Sequence, residues 1–162
     1  MFFWFIGTAV ISIGLVFRDP RFDYRLLIVG SVLPIGDGIF GGARALHSLT
    51  VSVALLAVLM IATAGRKPIR KMLLGLPIGM ILHLVFDGAW NNTDIFWWPF
   101  FGWSFDDAPL PVLDRGAWSL VLEAVGVALC VWLWRRNGLG DRARRSKFLH
   151  DGQLDSVPDR FG

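Results

Sequence analysis

The sequence AWSLVLEAVGVALCVWLW at residues 117–134 decides the fold class, because its only charged residue is Glu123. At about 1.5 Å per residue, a helix over this stretch is close to the thickness of a bilayer's hydrocarbon core, about 30 Å. Arg135 and Arg136 follow it directly, and basic residues are typical of the cytoplasmic end of such a helix. The stretch therefore predicts a transmembrane helix.

Four apolar segments precede it, and the composition agrees with a membrane protein. Hydrophobic residues make up 54% of the chain and charged residues 18%, which is outside the balance of soluble domains. Segments 46–64 and 72–86 read as spans. Segment 2–17 is near the lower limit for crossing and, with no positive region before it, is predicted to be retained and not cleaved as a signal peptide. Segment 26–35 is short, and it either spans or re-enters. We predict an all-α integral membrane helical bundle of four or five transmembrane helices.

Two polar regions complete the predicted domain organisation. Residues 88–116 are rich in Trp, Phe, Pro and Asp, and they are too irregular for a span. We therefore expect a transmembrane domain over residues 1–136, with 88–116 as its outer loop. Residues 137–162 are polar and basic without apolar periodicity, which predicts a disordered cytoplasmic tail.

The basic residues predict the orientation of the chain. If the cluster at 66–71 is cytoplasmic, 14 of the 16 Lys and Arg residues lie on that side, and only Arg44 and Arg115 lie outside. The positive-inside rule favours this arrangement. We expect a multi-pass protein of the plasma (inner) membrane with a cytoplasmic C-terminus.

Four ionisable residues of the apolar segments form a candidate metal site. Asp37 closes the second segment, His47 opens the third, and His83 and Asp87 lie four residues apart near the end of the fourth. All four fall at the predicted outer boundary, where ionisable groups are costly without a role. Two nitrogens and two oxygens suit Zn²⁺, or Mn²⁺ and Fe²⁺ with added waters. The alternative is that each residue caps a helix or binds a neighbouring carbonyl.

Two more acidic residues are candidates for a catalytic base. Glu123 lies in the outer half of the last segment, and Asp94 follows the fourth segment. Glu123 has an alternative structural role, in which it pairs with Arg115 or with a polar group on a neighbouring helix. Asp94 belongs to an Asn-Asn-Thr-Asp run that is also typical of a turn.

Substrate binding is predicted at three residues near the same boundary. Arg44 is suited to a phosphate, although anchoring to lipid headgroups is an alternative. Asn91 offers an amide to a substrate. Trp90 offers an aromatic platform, although interfacial Trp residues also form membrane belts. The basic tail is expected to bind anionic lipid and not nucleic acid.

These residues resemble the YdjM-like family of bacterial inner-membrane proteins over roughly residues 26–102. That family has a P-D-x-D-like element, then H-R-G-x-T-H-S, S-H-x-x-x-D and a W-P-F-like element. The corresponding residues here are Leu33-Pro34-Ile35-Gly36-Asp37, Arg44-Ala45-Leu46-His47-Ser48, Leu82-His83-Leu84-Val85-Phe86-Asp87 and Trp97-Trp98-Pro99-Phe100. Gly42 stands about where the family has its first His, and Ile35 where it has its first Asp. The resemblance implies a metal-dependent hydrolase.

Together, these observations predict a metal-dependent hydrolase at the extracytoplasmic face, with a divalent ion, zinc first and Mn or Fe next. Its substrate would be a lipid-linked ester or phosphoester. The alternative is a non-catalytic membrane protein, either a small carrier or an assembly partner in a membrane complex or homo-oligomer, that uses the His and Asp residues structurally.

Overall fold

A computed structural model describes residues 1–17, 22–105 and 115–154 of the chain, and these residues contain helices and no strand. The predicted all-α class is confirmed for this part of the chain. Residues 106–114 of the predicted outer loop, and the basic residues at 18–21 and 160, lie outside the described residues. The helices of the described residues are α1 (Phe2–Val16), α2 (Tyr24–Val32), α3 (Leu49–Ala62), α4 (Lys67–Leu73), α5 (Gly75–Asp87), α6 (Thr93–Phe96), α7 (Ala117–Arg136) and α8 (Arg142–Asp151). The 3-10 helices are Leu33–Phe40, Ala45–His47 and Ala89–Asn91.

Local sequence signals explain where the helices begin and end. The side chains of Asp23 and Ser48 accept backbone N–H groups at the first turns of α2 and α3, as N-cap residues do. Gly88 ends α5 in the left-handed conformation (φ 61°), which suits a residue without a Cβ. Pro34 stands in the first turn of the 3-10 helix that follows α2, where a missing N–H costs least.

The pair α2 and α5 packs with its backbones in close approach, because glycines lie at the crossing. A Cβ on Gly79 would lie 2.7 Å from the backbone nitrogen of Ser31, and one on Gly75 would lie 2.9 Å from that of Leu27. On α2, a Cβ on Gly30 would meet the backbone of Leu76. Small residues allow helix backbones to approach this closely. The crossing fixes α2 beside the first turns of α5.

The pair α1 and α7 packs in the same manner. Gly126 is the one residue of α7 that is fully buried, and a Cβ there would meet the backbone of Phe3 and Trp4. Near this crossing, Glu123 accepts the backbone N–H of Phe3 at 3.1 Å and that of Trp4 at 3.4 Å. The carboxylate therefore satisfies N–H groups that the first turn of α1 leaves without helical partners.

Two stretches of helix are long and apolar enough to cross a membrane by length and composition, namely Lys67–Asp87, which comprises α4 and α5, and Ala117–Arg136. The helices Phe2–Val16 and Leu49–Ala62 are apolar but shorter. The predicted second segment is a helix of nine residues, Tyr24–Val32, followed by a 3-10 helix.

The tail differs from the sequence prediction, since a helix, α8, replaces the expected disorder over Arg142–Asp151. Asp141 caps its start by accepting the N–H of Ala143 at 2.8 Å. At its end, Arg25 donates to the carbonyls of Leu149 (3.0 Å) and His150 (2.6 Å). A cation at a helix C-terminus is favourable. The sequence has no apolar period here, and contacts with Arg25 at the start of α2 hold the end of the helix.

Candidate metal centre

Three chain segments converge at the C-terminal end of α5. His83 and Asp87 are one helical turn apart on α5, so both side chains lie on one face. His47 is the last residue of the 3-10 helix Ala45–His47, immediately before the cap of α3. Asp37 lies in the 3-10 helix Leu33–Phe40, which continues from α2. The four predicted ligands are therefore gathered at one end of the helices, as the sequence predicts.

Three of the four side chains place their donor atoms together. Oδ2 of Asp87 lies 3.7 Å from Nε2 of His47 and 3.9 Å from Nε2 of His83. One ligand atom from each of these residues lies within 4.8 Å of the others. The side chains are 2% or less exposed, so the cluster is shielded from the surroundings.

Hydrogen bonds assign the same tautomer to both histidines. Nδ1 of His83 lies 2.7 Å from the carbonyl oxygen of Ser31, and because a carbonyl only accepts, Nδ1 carries the proton. Nδ1 of His47 lies 3.0 Å from Oδ2 of Asp37, which also accepts the backbone N–H of Arg44 at 2.9 Å. Nδ1 of His47 is therefore the donor as well. Both Nε2 atoms then direct lone pairs toward Asp87.

The two Nε2 atoms and the carboxylate of Asp87 are arranged to bind a cation and not to hydrogen-bond with one another. Nε2 of His83 and Oδ2 of Asp87 are buried without a hydrogen-bond partner among the residues the structure describes, and Oδ1 of Asp87 has an ion pair with Arg115. Such groups are rare and costly in proteins. Two imidazole lone pairs facing one carboxylate repel each other, and a divalent ion between them removes the repulsion. The residues present therefore fit a metal ion.

Asp37, predicted as a ligand, lies behind His47 and outside the group of three. Its contact with the Nδ1 proton fixes the ring of His47 and raises the basicity of Nε2, as carboxylates behind metal-binding histidines do. The 3-10 turn from Leu33–Phe40 presents Asp37 to the far side of the ring, and only a three-dimensional arrangement could reveal this.

Two residues of the site were not predicted from the sequence. Arg115 lies 3.2 Å from Oδ1 of Asp87 through Nη1, and its Nη2 donates to the backbone carbonyl of Asp87. Phe5 covers the ring of His83, with ring centroids 3.9 Å apart. The charge of Arg115 on the predicted outer side was the only sequence signal for it, and Phe5 gave none because it sits in an apolar run.

The candidate bases lie apart from one another. Glu123 binds the backbone N–H groups at the start of α1, which agrees with its structural interpretation. Its carboxylate thereby supports the turn that presents Phe5 to His83. Asp94 is exposed in the first turn of α6.

The predicted substrate-binding residues occupy the surface around this end. Arg44 directs its guanidinium to the carbonyl of Phe40 (2.9 Å from Nη2) and over the ring of Phe105, 5.4 Å from its centroid. Trp90 and Asn91 are exposed in the 3-10 helix Ala89–Asn91, directly after Asp87 and its cap. Arg115, and not Arg44, is the cation that contacts the cluster.

Comparison of the chain with protein-family models, with curated proteins and with solved structures finds no match. The resemblance to the YdjM-like family therefore stays a prediction. The site has to be interpreted from its own geometry.

Proposed function

We propose that the chain is a multi-pass protein of the plasma (inner) membrane. Its spans would be α1, α3, the α4–α5 pair and α7, with α2 as a fifth span or a re-entrant segment. Only 6% of the apolar window of α7 is buried within the protein. Its apolar surface thus faces the surroundings, as lipid-exposed helices do.

The proposed orientation places the C-terminus in the cytoplasm and the metal centre at the outer boundary. The start of α1 contacts the centre through Phe5, whereas Ile13, near its end, packs in a core cluster with Tyr24 and Phe148. The site and α8 therefore lie toward opposite ends of α1. The basic residues of α8 and the 66–71 cluster are assigned to the inner side by the positive-inside rule.

The function that this geometry supports best is metal-dependent hydrolysis of a lipid-linked ester or phosphoester. The observation that carries it is that two Nε2 atoms and one carboxylate lie together, with the Nδ1 atom of each histidine hydrogen-bonded on the other side of its ring. Catalytic zinc sites have three protein ligands and an open fourth position, whereas structural sites have four. We assign zinc first, with Mn or Fe as the next choices.

The chain's own residues would then have distinct roles. His47, His83 and Asp87 would hold the ion, and the Ser31 carbonyl and Asp37 would keep both rings in place. A bound ion would supply positive charge that lowers the pKa of a water molecule. Glu123 would support α1, and the exposed Asp94 remains the candidate base.

One observation favours a second candidate, a non-catalytic membrane protein such as a carrier or an assembly partner. The ion pair between Arg115 and Asp87 neutralises the buried carboxylate without a metal. In that case the cluster would be structural, and Arg115 would be essential for folding.

A hydrolysis assay separates the two candidates. Detergent-purified protein loaded with Zn²⁺, Mn²⁺ or Fe²⁺ is mixed with micelles of phosphatidic acid or phosphatidylglycerol, and released phosphate and fatty acid are measured. We expect release that His83→Ala and Asp87→Ala abolish. His150→Ala is the matched control, because His150 is exposed on α8. No release with any of the three metals, or release that His83→Ala retains, would contradict the proposal.

A further inference from the structure

We propose that Arg115 is the anion-binding residue of the metal centre and that the substrate class is a phosphoester, not a carboxylic ester. This inference rests on the proposed function. It concerns a residue that the sequence motifs do not include and that the structure places against Asp87.

Arg115 lies at the edge of the cluster. Its side chain is 25% exposed, whereas that of Asp87 is fully buried, and its Nη1 atom is buried without a hydrogen bond among the described residues. The two contacts of the guanidinium with Asp87, through Nη1 to the carboxylate and through Nη2 to the carbonyl, hold it against the rim of the cluster. Arg115 is therefore the charged group that connects the buried centre with its surroundings.

The two oxygens of Asp87 face different partners, so the ion and Arg115 do not compete for one atom. Oδ2 faces the two histidines, at 3.7 and 3.9 Å, and Oδ1 faces Arg115 at 3.2 Å. A guanidinium has five N–H donors in a planar fork. Donors that Asp87 does not use are available for a second acceptor, and the fork matches the oxygens of a phosphate.

The charges of the site favour an anion. A divalent ion contributes two positive charges and Arg115 one, while Asp37 and Asp87 contribute one negative charge each. One positive charge is left over in a region shielded from water, where an uncompensated charge is costly. A phosphoester supplies the missing negative charge. A carboxylic ester is neutral and leaves this positive charge uncompensated.

Arg44, the other predicted outer cation, is already engaged. Its guanidinium binds the carbonyl of Phe40 and stacks on Phe105, and its contact with the site is made by its backbone N–H to Asp37. Replacing the side chain of Arg44 leaves that backbone contact in place. Arg44→Gln is thus the matched comparison for Arg115→Gln, because each removes one outer cation.

The experiment measures zinc and phosphate binding on the same samples. Protein in detergent is loaded with zinc, freed of excess metal and titrated with inorganic phosphate by calorimetry, after the zinc content per chain has been determined. Hydrogen bonds to charged groups contribute about 1.5–3 kcal/mol. We therefore expect Arg115→Gln to weaken phosphate binding by about tenfold or more while zinc is retained, and Arg44→Gln to change it by less than about twofold. Ethyl acetate, a neutral carboxylic ester, should bind far more weakly than phosphate.

Three results would overturn the inference. The first is equal phosphate affinity in wild type and in Arg115→Gln with zinc present. The second is a larger loss of phosphate affinity in Arg44→Gln. The third is binding of ethyl acetate as tight as that of phosphate. If no variant or wild type holds zinc, the proposed function fails and the inference falls with it. If Arg115→Gln alone loses zinc, the phosphate titration is repeated with Arg115→Lys. This variant keeps the positive charge but lacks the planar guanidinium. Weaker phosphate binding in zinc-loaded Arg115→Lys supports the inference, and wild-type affinity overturns it.

Discussion

Replacing Gly79 by alanine tests whether the crossing of α2 and α5 holds the metal centre together. A Cβ at this position would lie 2.7 Å from the backbone nitrogen of Ser31, whereas ordinary contacts begin at 3.4 Å. The difference at Ser31, about 0.7 Å, is a lower bound on the movement of α5 away from α2 if neither backbone deforms, because the carbonyl oxygen of Leu27 would lie still closer to this Cβ. His83 lies one turn further along α5 and would move with it.

This movement is expected to weaken the hydrogen bond between His83 and the carbonyl of Ser31. It is 2.7 Å long, and a displacement of about 0.7 Å along it gives about 3.4 Å, where a hydrogen bond is weak. Overpacking of this kind lowers the free energy of unfolding by about 1–3 kcal/mol. Loss of a partner behind a metal-binding histidine lowers metal affinity by about 10–100-fold. We expect both effects from a residue that is not itself a ligand.

The assay combines thermal unfolding in detergent, followed by circular dichroism, with zinc affinity measured by chelator competition. Gly14→Ala is the control, because it is also a helical glycine and its Cβ would meet only the hydroxyl of Tyr24 at an ordinary 3.8 Å. The gain in helix propensity is similar in both variants, so it cancels in the comparison. If Gly79→Ala matches Gly14→Ala in stability and zinc affinity, the reasoning is refuted.

Three further variants test individual contacts. Asp37→Asn should keep one zinc per chain but weaken its binding by about 10–100-fold, measured by chelator competition; full loss of zinc would instead make Asp37 a ligand. Glu123→Ala should lower the melting temperature by about 2–4 °C, since it removes about 1 kcal/mol of capping, and should leave zinc content unchanged; loss of zinc would contradict the capping role. Arg25→Ala should release α8 and speed its tryptic cleavage about fivefold, as expected for a loss of about 1 kcal/mol at an exposed site; mass spectrometry of the fragments checks this, and unchanged cleavage would contradict the docking of α8.

The helical class and the ends of most helices could be predicted because they depend on local sequence. The apolar stretch 117–134 and the two arginines after it predicted a helix, and in the structure this helix ends at Arg136. The tail could not be predicted, because α8 depends on Arg25, which is more than a hundred residues away. The spacing of Gly75 and Gly79 was a signal for close helix packing that could have been used.

The sequence was sufficient to select the residues of the candidate site, but not to tell which of them face one another and which lie behind. The spacing of His83 and Asp87 places both on one helix face, and the cost of polar groups in apolar segments singled out His47 and Asp37. The tautomers depend on Ser31 and Asp37 across element boundaries, which no spacing encodes. Arg115 contacts Asp87 from the other end of the predicted outer loop, and the sequence offered only its charge.

The most direct test of the central claim is the zinc, manganese and iron content of the detergent-purified chain, measured by mass spectrometry with inductively coupled plasma. The chain has three histidines, so His150→Ala is a control for metal held by a surface imidazole. The account predicts about one ion per chain in wild type and in His150→Ala, and none in His83→Ala or Asp87→Ala. No bound metal in wild type, even after metal is added back, or metal that both site variants retain, would contradict it.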